Sequence, residues 1–100
     1  MKLNRDLVQK ILEHSVEHFH GEFLPITADQ FNAEAFEFYY HLRLLVKSDA
    51  VEMLDFPIDR YSGDEKTSYC LGGMSWYSYT LLGQLQGTKK HNEKYPRETE

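Results

Sequence analysis

The chain is poor in cysteine, in long apolar segments and in basic residues, and each shortage excludes a class of protein. The single cysteine, Cys70, cannot form an internal disulfide, which argues against a disulfide-stabilised extracellular domain. No apolar run is long enough to cross a bilayer, and no secretory signal peptide is recognisable. We therefore expect a cytoplasmic protein that makes no membrane contact.

Basic residues are outnumbered by acidic ones. Sixteen aspartates and glutamates against eleven lysines and arginines give a net charge of -5. This charge opposes unspecific attraction to nucleic acid or to an anionic membrane, so any DNA binding must come from a local patch. A chain of 100 residues makes one domain, and the 41% hydrophobic content is typical of a folded one. We predict a domain over residues 1–86 and a mobile polar tail over residues 87–100.

The first third of the chain predicts a helix, a short extended segment and a second, short helix. Asn4 is a good N-cap, and the apolar residues after it recur at helical spacing over about residues 4–19. The segment 23–26 is apolar and contains proline, which is typical of an edge strand or an extended connector. Thr27 and Asp29 can then cap a short second helix.

A third helix is predicted over about residues 33–48, with Asn32 as its N-cap. At 100° per residue, five apolar side chains of this helix gather on one arc and should face the core. They are Ala35, Phe38, Leu42, Leu45 and Val46.

The second half of the chain predicts a hairpin and a last helix. Apolar and polar residues nearly alternate over 51–56, which indicates a half-buried strand, and 67–71 predicts its partner. The loop between them should turn at 62–64, and Gly72-Gly73 should end the second strand. Ser75 can cap the last helix, whose apolar side we expect to contain Trp76, Tyr77, Leu81, Leu82 and Leu85.

This order of elements predicts an α+β fold, the winged helix-turn-helix. Three helices precede a two- or three-stranded hairpin whose loop can project as a wing, and a C-terminal helix follows. We interpret Trp76 as a core anchor, because large aromatic residues at helical spacing usually fill space between elements.

Three segments resemble a family of short phage, prophage and bacterial proteins known as domain of unknown function 2513. The family pattern MKxxxDLxxxIL corresponds to MKLNRDLVQKIL, YHLxLLxxAGLI to YYHLRLLVKSDAVE, and LTWxGxxFL to GMSWYSYTLL. Asp49 or Ala50 stands where the family usually has a glycine turn, and Ser78 replaces the glycine after the tryptophan. The resemblance implies a winged helix of phage or bacterial origin and no assigned activity.

The stretch HSVEHFHGE, residues 14–22, matches the H-x-x-E-H string of one class of zinc peptidases. Such a site needs a third protein ligand, and the remainder of the chain offers no recognisable helix to supply one. We therefore interpret His14 and His18 as surface histidines near a helix end, and Cys70 as a small core residue. No catalytic residue, metal site or cofactor is predicted, and the protein is not expected to be an enzyme.

The outward face of the third helix is the predicted binding site. Phe36, Tyr40, Arg43 and Lys47 follow an i, i+4, i+7, i+11 spacing and form one stripe that points away from the core. In a winged helix this face enters the DNA major groove, where arginine contacts guanine or phosphate. Arg60 would add a contact from the wing. Exposed aromatic residues also mark protein contact surfaces.

Two functions are therefore open. The first is a DNA-binding transcriptional regulator that contacts duplex DNA through the third helix, in a form that could be a homodimer. The second is a protein-binding winged-helix module, such as a phage accessory or anti-defence protein that inhibits a host protein through the same face. The segment from Asp55 to Lys66 holds four acidic residues against two basic ones, whereas a wing that follows the phosphate backbone should be basic.

Overall fold

The computed structural model describes the backbone of residues 2–93 and the side chains of residues 2–87. The described residues form three α-helices, one short 3₁₀-helix and three strands. In chain order these are α1 (Arg5–His18), β1 (Leu24–Ile26), the 3₁₀-helix (Ala28–Phe31), α2 (Ala35–Lys47), β2 (Val51–Leu54), β3 (Tyr69–Met74) and α3 (Trp76–Glu93). The order of elements predicted from the sequence is confirmed, and α2 corresponds to the predicted third helix.

The three strands form one antiparallel sheet in the order β1-β3-β2. β3 is the central strand: Pro25 of β1 pairs with Cys70, and Leu54 of β2 pairs with the same residue from the other side. The fold is therefore α+β, with an element order and a sheet topology that are compatible with a winged-helix arrangement.

The core lies between the helices and one face of the sheet. Phe38 and Leu42 of α2 meet Ile11 and Leu12 of α1 there, and all four side chains are at most 1% exposed. Leu71 supplies the matching surface from β3. The arc of α2 predicted to face the core is buried at Ala35, Phe38, Leu42 and Leu45, and Val46 is half-buried against it.

The start of α1 agrees with the sequence prediction, whereas the start of α2 differs from it. The side chain of Asn4 accepts a hydrogen bond from the Leu7 N–H at 3.1 Å, so the predicted cap of α1 is confirmed. The predicted cap of α2 was wrong. Asn32 takes the left-handed conformation, with φ 55°, and closes the 3₁₀-helix, while Glu34 caps α2 through the Glu37 N–H. Asparagine can serve as an N-cap or adopt the left-handed conformation. Residues 32–34, which connect the 3₁₀-helix to α2, use it in the left-handed conformation.

Gly72 and Gly73 continue β3, so the predicted end of the strand before them was wrong. The register shifts between Glu52 and Met53, because Glu52 pairs with Gly73 while Met53 pairs with Leu71, and Gly72 forms a β-bulge. A Cβ on Gly72 would lie 3.2 Å from the Leu54 side chain. Glycine is thus placed where the sheet bends and a neighbour approaches closely.

α3 begins at Trp76, directly after Ser75 as predicted, but its end differs from the prediction. The Ser75 hydroxyl donates to the Ala50 carbonyl at 3.2 Å, which ties the start of α3 to the start of β2. The helix continues to Glu93, beyond the predicted domain end at residue 86. The mobile tail predicted for 87–100 thus overlaps helical backbone as far as residue 93, and 94–100 lie outside the described residues.

Trp76 is 86% exposed, so its assignment to the core was wrong. The buried side of α3 is formed by Ser78, Leu82 and Leu85. At 100° per residue, Trp76 lies about 180° away from Leu85 around the helix axis. The helical periodicity thus places Trp76 on the side of α3 opposite Leu85. The tendency of large aromatic residues to fill cores does not override that periodicity here.

Candidate interaction surface on α2

The structure places four of the five predicted site residues along α2, with unequal exposure. Phe36 is 40% exposed and Lys47 is exposed, whereas Tyr40 and Arg43 are half-buried. Arg60 is exposed on the segment that joins β2 to β3. The helical spacing therefore predicted the stripe, but part of it is covered by a second element.

That covering element is the 55–68 loop, which folds back onto α2 and does not project freely. The Tyr39 hydroxyl donates to the Pro57 carbonyl, and the Arg43 Nε donates to the Ile58 carbonyl at 2.8 Å. The prediction of a projecting wing was wrong for this part of the loop. Arg43 thus uses its Nε–H to hold the loop in place.

Aromatic side chains fill the contact between the loop and the helix. Phe56 stacks on Tyr39 with ring centroids 5.2 Å apart, and Tyr61 meets the edge of Phe36 at the same distance. Tyr39 is 3% exposed and Phe36 is 40% exposed, so the cluster extends from the core to the surface. The sequence interpretation missed Phe56 and Tyr61, because no periodicity links a long loop to the helix that it covers.

The far end of the loop covers the N-terminus of α2. A carboxylate oxygen of Glu65 accepts a hydrogen bond from the Ala35 N–H at 3.3 Å, and the Glu65 carbonyl accepts one from the Asp29 N–H at 3.1 Å. A carboxylate is favourable there because the helix dipole places positive potential at its N-terminus. The loop is thus fixed at both ends of its path across α2.

The charge around this surface is negative. Residues 21–40 contain four acidic residues and no lysine, arginine or histidine. Burial raises the pKa of the Tyr61 phenol, and the neighbouring carboxylates of Glu65, Glu34 and Asp64 raise it further. We name the solvent-accessible part of this region the α2-loop surface; it consists of the exposed ring of Phe36, the half-buried rings of Tyr40 and Tyr61, and the carboxylates of Glu34, Asp64 and Glu65.

His14 and His18 of HSVEHFHGE lie on the last turns of α1, and His20 follows the end of the helix. The rings of His14 and His18 are 4.5 Å apart between centroids, and Phe31 meets the His14 ring edge-on at 5.4 Å. Among the residues that the structure describes, no group of three histidine, cysteine, aspartate or glutamate side chains could hold a metal ion. The His14 ring packs against Phe31. That the protein has no metal site stays a prediction.

Partial burial lowers the pKa of His14 below its usual 6.5, and the neighbouring His18 lowers it further. In the pH range around and between its folded-state and unfolded-state pKa values, a histidine whose folded-state pKa is depressed binds fewer protons in the folded protein than in the unfolded chain. We therefore expect its contribution to the free energy of unfolding to be present above about pH 6.5 and to be lost as the pH falls. Urea unfolding at about pH 5.5 and 7.5 should show a smaller pH dependence for His14→Gln than for the wild type, and equal dependences would contradict this expectation.

His41 joins α1 to α2 from a fully buried position. Its Nδ1 is 2.7 Å from the Glu37 carbonyl, and its Nε2 accepts a hydrogen bond from the Asn4 N–H at 2.8 Å. These partners require the neutral ring with its hydrogen on Nδ1, because a carbonyl cannot donate. A side-chain amide hydrogen of Asn4 also bonds to Glu37, at 3.0 Å. His41, which belongs to the segment YYHLRLL, therefore has a structural role.

An apolar groove of about 400 Å³ lies where α1, α2 and α3 meet. Leu44 lines it together with Leu3, Val8 and Leu85. Leu44 lies outside the predicted core arc of α2, and the structure places it at this groove.

Comparison with family models, curated proteins and solved structures finds no match to this chain. The resemblance to domain of unknown function 2513 therefore stays a prediction. Asp49, one of the two residues at which that resemblance places a glycine turn, has φ 64° and is left-handed. No helix within the described residues is long and apolar enough to span a membrane.

Proposed function

We propose that the protein is a winged-helix variant that binds another protein through the α2-loop surface. The carrying observation is the 55–68 loop, which lies on α2 and engages Arg43 through the Ile58 carbonyl. The residue that would best contact DNA is thus used inside the domain. The partner contacts a surface that the loop and the helix build together.

The charge of the surface supports a basic protein partner and opposes DNA. In helix-turn-helix proteins, the N-terminal part of the recognition helix contacts base edges between two phosphate backbones. The corresponding region here contains Asp29, Glu34 and Glu37 and no basic residue. Placing these carboxylates beside phosphates is unfavourable, whereas lysines or arginines of a protein would be attracted to them.

The exposed aromatic residues supply the apolar part of such a contact. Phe36 and Tyr61 present ring edges and faces at the surface, held by the rings beneath them. Rigid aromatic side chains carry much of the binding energy in protein interfaces, because they bury a large area and lose little conformational entropy. A partner that inserts an arginine here would meet both the rings and the carboxylates.

DNA binding is the second candidate, favoured by the helix-turn-helix order of the elements and by the exposed Lys47. The two candidates differ most at low salt, where attraction to phosphate is strongest. Fluorescence anisotropy with labelled duplexes of random sequence at about 20 mM salt should show no binding by the wild type. Binding whose affinity falls steeply with salt and weakens in Lys47→Ala would overturn the proposal and favour the regulator.

The protein-binding proposal is tested by selecting displayed random peptides on the immobilised wild type. We expect enriched peptides that combine an apolar residue with arginine or lysine, and a loss of at least about 30-fold in affinity for Phe36→Ala with Tyr40→Ala. Phe23→Ala is the matched control, since Phe23 is 68% exposed and outside this surface. Peptides whose affinity is equal for the double variant and the wild type would count against the α2-loop surface.

The same experiments require variants that keep their fold. Replacing Arg43 with alanine removes the hydrogen bond to the Ile58 carbonyl, so we expect this change to loosen the 55–68 loop as well as to remove a charge. Lys47 is the better probe of phosphate contact, because it is exposed and no hydrogen bond from its side chain is needed for the path of the loop. Far-ultraviolet circular dichroism of each variant confirms its helicity before binding is measured.

A further inference from the structure

The outward face of α3 presents three aromatic side chains to solvent. Trp76 is 86% exposed, Tyr77 is 45% exposed and Tyr79 is 49% exposed. Trp76 lies opposite the buried side of the helix, and the two tyrosines flank it at about 80° to either side of the centre of the exposed face. A single exposed aromatic residue is ordinary, but three adjacent ones mark a contact surface.

The same helix face lacks the charges that normally accompany a solvated surface. From Ser75 to Gly87 the sequence is SWYSYTLLGQLQG, thirteen residues without a charged side chain in a chain that is 27% charged. Exposed helix faces usually carry charged and polar residues opposite the apolar stripe. Two copies of this segment could therefore approach each other without like-charge repulsion, unlike most of this acidic protein.

Two glycines lie on this face, and the fold of the single chain does not require them. Gly83 and Gly87 are exposed, and a Cβ on either would meet nothing within 4 Å. Glycine is less favourable than alanine inside a helix because it loses more backbone entropy. Their placement one turn apart is explained if another backbone or a large side chain approaches the helix there.

One row of outward-facing residues on α3, which we name the α3 stripe, begins with a large side chain and ends with two glycines. The row can therefore fit against a second copy of itself that runs in the opposite direction. Trp76, Thr80, Gly83 and Gly87 follow an i, i+4, i+7, i+11 spacing along the outward face. In an antiparallel pair of α3 helices related by a twofold axis, Trp76 faces Gly87 and Thr80 faces Gly83. Both pairings share one midpoint, between Leu81 and Leu82. A twofold interface requires such reciprocity, because residue i contacts j and j contacts i.

We propose that α3 is a homodimer interface in which Trp76 of each chain packs over Gly87 of a second copy. The three aromatic residues expose on the order of 400 Å² per chain, given about 150–250 Å² for each ring when fully exposed. Two copies thus contribute about 800 Å² from aromatic residues alone, against roughly 1,200 Å² for the smallest specific interfaces. Thr80, Gln84 and the glycine backbone add the remainder. The surface is separate from the α2-loop surface, so either proposal can fail alone.

The test is the mass of the full chain in solution, measured by sedimentation equilibrium from about 1 to 500 µM. The wild type should change from monomer to dimer within this range. Trp76→Ala should weaken the dimer by at least about 30-fold, and Gly87→Trp should do the same by filling the space that Trp76 needs. Phe23→Ala, which removes a ring that is 68% exposed elsewhere on the molecule, should leave the dimer unchanged.

Two further variants separate dimer contacts from folding. Gly83→Ala with Gly87→Ala should raise the melting temperature of the dilute monomer, because alanine favours the helix, while it weakens the dimer. The double variant Trp76→Gly with Gly87→Trp exchanges the tryptophan and the glycine within one chain. In the antiparallel pair each tryptophan then faces a glycine again, so this variant should dimerise. A wild type that stays monomeric throughout the range, or a dimer indifferent to all these changes, overturns the proposal.

Discussion

Phe38→Ala is expected to lower the free energy of unfolding by about 3–5 kcal/mol, the usual cost of emptying a buried aromatic site. Phe38 is fully buried, and its ring lies 5.6 Å from Phe31 and 6.1 Å from Tyr69. It thus joins α2 to the 3₁₀-helix and to the central strand. Equilibrium unfolding in urea measures the change from the shift of the midpoint at a constant slope.

Trp76→Ala is the matched comparison. Although tryptophan is larger, its exposure of 86% predicts a change below about 1 kcal/mol in the unfolding of the dilute monomer. The contrast between the two aromatic residues tests the placement of α3 and of the core together. A loss of several kcal/mol at Trp76, or a loss below about 1 kcal/mol at Phe38, would contradict the packing described above.

Replacing His41 with leucine is the second change with a large expected effect, about 2–4 kcal/mol of unfolding free energy. Leucine has a similar size, but it removes the acceptor of the Asn4 N–H and the donor to the Glu37 carbonyl. Each buried or half-buried polar group left without a partner costs about 1–3 kcal/mol. The loss should be concentrated at the junction of α1 and α2, where amide hydrogen exchange of Asn4 and its neighbours should accelerate.

His41→Gln is the control for this prediction. Its side-chain oxygen can accept the Asn4 hydrogen bond, whereas the hydrogen bond to Glu37 is lost. We expect it to be more stable than His41→Leu, although glutamine is the more polar side chain in a site that is fully buried. If the leucine variant proves equal to the wild type, the hydrogen bonds of His41 contribute no net stability.

The surface proposals depend on different kinds of evidence. The α2-loop surface follows from contacts between elements distant in sequence, whereas the α3 stripe follows from spacing within one helix together with the exposure of its side chains. The stripe could have been found from the sequence once Trp76 was assigned to the side opposite Leu85. The α2-loop surface could not, because one of its three aromatic residues, Tyr61, comes from a loop without periodic structure.

Local patterns in the sequence determined the order of the elements and the ends of several of them. The side chain of Asn4 caps α1, and the apolar period of α2 selects the residues that face the core. These features depend on neighbours within one or two helical turns, which a sequence contains directly. The α+β class and the order helix, strand, helix, strand, strand, helix follow from them.

Tertiary structure alone decided what the outward side of α2 contacts and what becomes of Arg43. The sequence placed Arg43 on an exposed stripe, and helical geometry made that placement correct for an isolated helix. In the folded chain, the Ile58 carbonyl of the 55–68 loop accepts a hydrogen bond from Arg43, and Phe56 and Tyr61 of the same loop pack against neighbouring rings. Such long-range contacts depend on the path of a whole loop, whose entropy and packing no local period encodes. The sequence thus determined which residues the helix offers, and the fold determined which of them remain available to a partner.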